Sequence, residues 1–147
     1  MPVDILLIED SPADAELALV AIRRSGFGGG VTHIPDGDKA LDWLRERIAR
    51  PEGVDPSLPA VALVDLKLPG CDGLEVLRQV KATPRLCRLP VVVFTSSREE
   101  RDITRAYDLG CNAYVVKPVE FSAYCEAVAG IVAFWAGPSQ PPSYSAA

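Results

Sequence analysis

Residues 60–80 read Ala-Val-Ala-Leu-Val-Asp-Leu-Lys-Leu-Pro-Gly-Cys-Asp-Gly-Leu-Glu-Val-Leu-Arg-Gln-Val. The first five residues are apolar without alternation, the pattern of a strand buried on both faces, and a lone acid, Asp65, ends the run. Pro69, Gly70 and Gly73 break the chain over residues 66–73. Leu74, Leu77 and Val80 then recur at helical spacing. The stretch is therefore a strand, a loop at the strand's carboxyl end, and a helix.

The same unit recurs on either side. Val3–Ile8 is a strand, followed by Glu9-Asp10. Ser11 then caps a helix with Pro12 at its first position and Asp14 at its positive end, running to about Ser25 before Gly26. Val31–Ile34 is a second strand, and Asp36 caps a helix from Gly37 to about Arg50 with Ala40, Leu41, Leu44 and Ile48 on one face. Residues 51–59 form a Pro-rich loop. Pro90–Phe94 is a fourth strand; Ser97 and Glu100 have capping-box spacing for a helix that ends near Gly110. Ala113–Val116 is a fifth strand, broken by Lys117-Pro118, and a last helix spans about Val119–Trp135. Five such units predict an α/β, flavodoxin-like doubly wound parallel sheet of order 2-1-3-4-5 with helices on both faces. They place one domain in residues 1–136 and a Pro-rich tail in 137–147, with no output domain.

Composition narrows the function. The chain has 147 residues, 48% hydrophobic and 24% charged, as in ordinary globular proteins. Its net charge of −5 disfavours nucleic-acid binding. No apolar run is long enough to cross a bilayer and no signal peptide is visible, so a cytoplasmic location without membrane contact is expected. Cys71, Cys87, Cys111 and Cys125 lack metal-site spacing and read as small hydrophobes.

In a doubly wound sheet, ligands sit beyond the carboxyl ends of the strands. Glu9 and Asp10 end the first strand, Asp65 the third, Thr95 and Ser96 the fourth, and Lys117 the fifth. Clustered carboxylates repel unless a cation or protons intervene, and hard oxygen donors suit Mg²⁺. Acids, an ammonium and a hydroxyl at one edge are the parts of phosphoryl transfer, with Asp65 as nucleophile.

Glu9-Asp10, Val64-Asp65-Leu66-x-Leu68-Pro69-Gly70-x-Asp72-Gly73, Phe94-Thr95-Ser96 and Tyr114-x-x-Lys117-Pro118 resemble the receiver domain of two-component response regulators. Intervals of 30 residues from Asp65 to Thr95 and 52 from Asp65 to Lys117 match that family. The resemblance implies that Asp65 takes a phosphoryl group from a sensor histidine kinase. Asp10, Asp65 and the Lys67 carbonyl would ligate Mg²⁺, with Glu9 acting through water. Glu at position 9 and Lys at 67 depart from the commoner residues. Lys117 would contact the phosphoryl group, Thr95 would move to it, and Tyr114 would turn inward as Thr95 moves, with Ser96 and Pro118 in the same switch region. A cis Lys117–Pro118 peptide is implied as well. The chemistry is self-phosphorylation and self-dephosphorylation, so no conventional enzyme is expected. Residues 10–17, the 51–59 loop and Phe134-Trp135 are similar to the stand-alone regulators paired with phytochrome-type kinases.

Phe121, Tyr124, Val128, Ile131 and Trp135 mark an apolar seam on the last helix, with Phe134 beside it in the same expected interface. The seam is read as a homodimer interface, with the signal leaving through the fourth helix, fifth strand and last helix. A relay partner that accepts the phosphoryl group is the other outlet. Three alternatives stand beside this reading. One is a dimeric interaction module that works without phosphorylation. The others are a flavin-binding flavodoxin-like protein, which would need Gly, Ser or Thr where Glu9-Asp10 stand, and an aspartyl-phosphate hydrolase, which would need its nucleophile after the first strand.

Overall fold

The structure, a computed structural model, describes residues 4–51, 53–138, 142 and 144. Its elements run β1 (Ile5–Ile8), α1 (Pro12–Arg24), β2 (Val31–Ile34), α2 (Gly37–Ile48), β3 (Val61–Val64), α3 (Gly73–Ala82), β4 (Val91–Thr95), α4 (Glu100–Asp108), β5 (Ala113–Val116) and α5 (Phe121–Trp135). All pairings are parallel and the sheet order is β2-β1-β3-β4-β5, as expected from five strand–helix units.

Alternate strand residues feed two cores. Leu6, Ile8, Ala62, Val64, Val91 and Val93 face α2 and α3, where Leu41, Leu44, Leu77 and Val80 cover them. Ile5, Leu7, Val61, Leu63, Val92 and Phe94 face α1 and α5. The central strands are buried on both sides, which explains their unbroken apolar character.

Local chemistry starts each helix. The side chains of Ser11, Asp36 and Asp72 accept from the backbone N–H groups of Asp14, Lys39 and Glu75. The fourth helix departs from expectation: its N-cap is Glu99, with no side-chain cap bond. Ser97 does not form a capping box with Glu100. Its hydroxyl bonds the Asp102 carboxylate at 2.6 Å and accepts from Glu99 N–H, so it serves the loop before the helix.

The seam on α5 needs a larger correction. Tyr124, Val128 and Ile131 are buried in the core with Ala18, Ala21 and Ile22 of α1, and so are unavailable to a partner. Trp135 is partly buried against the same cluster. Because α5 packs on α1 as well as on the sheet, it needs more apolar surface than one stripe supplies. Of the residues expected at the interface only Phe121 and Phe134 are exposed, at 43% and 54%. Among the described residues every peptide bond is trans, Lys117–Pro118 included. Most of the 137–147 tail lies outside the described residues. At Tyr144, however, the carbonyl accepts from Arg85 at 3.4 Å, so there the chain lies on the domain.

Candidate functional site

Two strand ends and the first turn of α1 converge on the ammonium of Lys117, which follows a third strand. Glu9 follows β1 and is buried, while Asp10, the next residue, is exposed. Asp65 follows β3, where its N–H bonds the Ile8 carbonyl and its Oδ1 accepts from Leu66 N–H at 2.7 Å. Lys117 follows β5, anchored by its N–H to the Thr95 carbonyl at 2.8 Å. From there its side chain runs inward, with Nζ 5.8 Å from the centre of the Phe94 ring. Lys117 Nζ donates to Glu9 Oε1, to Asp65 Oδ2 at 3.0 Å and to Asp14 Oδ2 at 3.3 Å.

Electrostatics follow from burial and this one cation. Burial pushes Glu9 up to about 7, against the pull of Lys117. Burial would raise Asp65 too, but the Lys117 charge and hydrogen bond outweigh it and hold the carboxyl below its ordinary value. Burial works against the Lys117 ammonium, and its bond to Glu9 and the Asp65 charge overcome that and raise its pKa. The site thus keeps Asp65 ionised beside a permanent ammonium.

Above the acids lies a cavity of about 510 Å³, lined by Glu9, Asp10, Asp14, Asp65, Lys67 and Thr95, with Ser96 and the loop to Asp102 continuing the wall. Thr95 is buried, and its hydroxyl oxygen accepts from Ser97 N–H at 3.4 Å. Tyr114 is half-buried, and its hydroxyl donates to the Ser97 carbonyl at 2.9 Å, tying β5 to the loop before α4. Ser96 and Lys67 are exposed at the cavity, and Pro118 is half-buried beside Lys117. Every residue expected from sequence, apart from Tyr114 and those from Lys117 onward, lines this cavity.

The carboxylates brought within 4.8 Å of one another are Glu9, Asp14 and Asp65. Asp10, expected as a metal ligand, lines the cavity but is not in that group, and Asp14 takes its place there. Sequence reasoning assigned Asp14 only to the helix dipole. The available signal was geometric: side chains in a helix's first turn lean back toward its N-terminus, here toward the end of β1.

The receiver domain model of the response regulators matches residues 5–129, nearly the whole span of the fold. The chain belongs to the response regulator receiver family. Among curated relatives of this receiver, FilR2 of Methanothrix harundinacea, named a probable methanogenesis regulatory protein, is 43% identical, with 96% of this chain and 88% of that protein aligned. Response regulator Rcp1 of Synechocystis is 37% identical, with 91% and 89% aligned. Among solved structures, phosphorylated RcpA, a cyanobacterial phytochrome response regulator, superposes with a TM-score of 0.86 at 38% identity, covering 97% of this chain and 100% of that one. The bacteriophytochrome response regulator RtBRR is 49% identical, with a TM-score of 0.73 and 99% and 87% coverage. Rcp1 has also been solved in a Mn²⁺-bound form (TM-score 0.83, 35% identity, 97% and 100% coverage). The receiver's own acidic cluster of hard oxygen donors and that bound neighbour are together consistent with a divalent cation at this edge. Among the described residues no helix is long and apolar enough to cross a membrane.

Proposed function

We propose that this receiver accepts a phosphoryl group on Asp65 from the phosphohistidine of a sensor histidine kinase and passes the signal on through its surface. The observation that carries the reading is Asp65 itself. It is ionised, 3.0 Å from a buried lysine, and open to a cavity large enough for a phosphoryl donor. An Asp65 carboxylate oxygen attacks phosphorus as the phosphorus–nitrogen bond of the donor breaks. The electron pair stays on the imidazole nitrogen, and Asp65 becomes an acyl phosphate. Lys117 donates to a phosphoryl oxygen, and Thr95 leaves Ser97 to supply a second hydrogen bond.

Mg²⁺, held by Asp10, Asp65 and the Lys67 carbonyl with Glu9 acting through water, would neutralise charge on the transferring group. Hard oxygen donors for the ion are at hand, since Glu9, Asp14 and Asp65 converge at the cavity and Asp10 and Lys67 line its wall. The chain is then an acceptor that phosphorylates and dephosphorylates itself, rather than a catalyst turning over an external substrate. Kinship with phytochrome response regulators supports a phytochrome-type kinase as the donor. A homodimer, if formed through α5, rests on the exposed Phe121 and Phe134.

The test is incubation with Mg²⁺ and acetyl phosphate, followed by separation of phosphorylated from free protein. The parent should acquire label and Asp65→Asn should acquire none. Equal labelling of both proteins would refute Asp65 as the acceptor.

A further inference from the structure

Asp14 is the carboxylate of the cluster to which the phosphoacceptor reading gives no task. Its Oδ2 lies 3.3 Å from Lys117 Nζ, and it lines the same cavity as Asp65. A lysine ammonium has three N–H donors, and Glu9, Asp14 and Asp65 together take all three. For Lys117 to donate to a phosphoryl oxygen, one of these acceptors must let go.

Exposure decides which one. The Glu9 side chain is only 4% exposed, so releasing it would strand a buried carboxylate without its partner. Asp65 gives one oxygen to the phosphoryl group and keeps the other as a carbonyl acceptor within reach of Lys117. The Asp14 carboxylate is 45% exposed and can turn into water at little cost. Its first-turn position keeps it on the cavity wall after release, so its negative charge still faces whatever occupies the cavity.

We propose that Asp14 is a positioning residue that holds the Lys117 ammonium before phosphorylation and is displaced from it by the phosphoryl oxygens. Its charge also draws in the divalent cation before transfer and opposes the phosphoryl group afterwards. The proposal rests on the phosphoacceptor reading of Asp65.

Asp14→Asn keeps the shape and removes the charge; Asp14→Glu restores the charge. Two titrations of the full chain separate the effects: Mg²⁺ alone by calorimetry, and beryllofluoride, a phosphoryl mimic, at saturating Mg²⁺. Against the parent, Asp14→Asn should bind Mg²⁺ about threefold or more weakly and beryllofluoride about threefold or more tightly, the scale of one partly screened charge at this range. Asp14→Glu should return both affinities toward the parent's.

Opposite movement is the signature, since simple damage to the fold would weaken both. Unchanged affinities in Asp14→Asn, or a fall in both, would overturn the role. If Asp14→Asn does not fold, Asp14→Ser is held to the same two outcomes. A parent that neither binds beryllofluoride nor takes label from acetyl phosphate would remove the phosphoacceptor reading first and this role with it. A labelled parent with an indifferent Asp14→Asn removes this role alone.

Discussion

Glu9 is 3% exposed and shares the Lys117 ammonium with two other acids, and that placement has a consequence for stability. In the unfolded chain it titrates near its ordinary 4.5, and in the folded protein near about 7. Between those values the folded state holds a proton that the unfolded state lacks, so its stability falls as pH rises through that window. The favourable contribution is complete below 4.5 and gone above 7. Asp65 is shifted downward and Lys117 upward from their ordinary values, so neither titrates inside the window. Denaturant unfolding in the presence of a chelator should therefore show the parent losing up to about 3 kcal/mol across it relative to Glu9→Gln. Parallel curves for the two proteins would contradict the assignment. At this scale the sequence was most legible where a residue ends a strand: Asp65, Thr95 and Lys117 all sit where their runs predicted. It was least legible one turn into α1. There Asp14 has an ordinary reading as a helix-end acid, and only the fold brings it to Lys117.

The helices carry a different lesson, visible in α5. A stripe at spacing 3 and 4 says that a face is covered but not by what. Tyr124, Val128 and Ile131 read equally well as a partner surface or as the contact with α1, and α1 is the neighbour that covers them. Val128→Ala should cost about 1–3 kcal/mol by leaving a cavity in that core, measured by denaturant unfolding. Phe134→Ala, at an exposed position, should stay within about 0.5 kcal/mol. A reversal of the two would return the seam to the surface. The loop from β3 to α3 makes the stricter demand. A Cβ at Gly73 would stand 2.0 Å from the Asp65 carbonyl oxygen, so no side chain fits between the strand end and the helix start. Gly73→Ala should destabilise the protein by about 1–3 kcal/mol and impair labelling of Asp65, because relief of the clash moves the backbone that bears the acceptor. A variant with parental melting temperature and labelling would show that the approach is looser than described.

On the scale of the whole molecule, the doubly wound sheet brings the carboxyl ends of its parallel strands to one side, so residues 108 positions apart, Glu9 after β1 and Lys117 after the edge strand β5, share one hydrogen bond. That juxtaposition follows from five apolar runs and the order in which they pair, which is why fold and site could be read together from the sequence. The order of the strands was inferred from the unit count, whereas the packing of α5 and the reach of Asp14 depend on three-dimensional neighbours that periodicity does not encode. The account's central claim concerns one atom of Asp65, and hydride trapping tests it most directly. After treatment with acetyl phosphate and Mg²⁺, borohydride reduces an acyl phosphate to an alcohol, and peptide mass spectrometry locates the converted side chain. The account predicts conversion at residue 65 alone, dependent on both reagents. Conversion at Glu9, Asp10 or Asp14 instead, or none at residue 65, would contradict it.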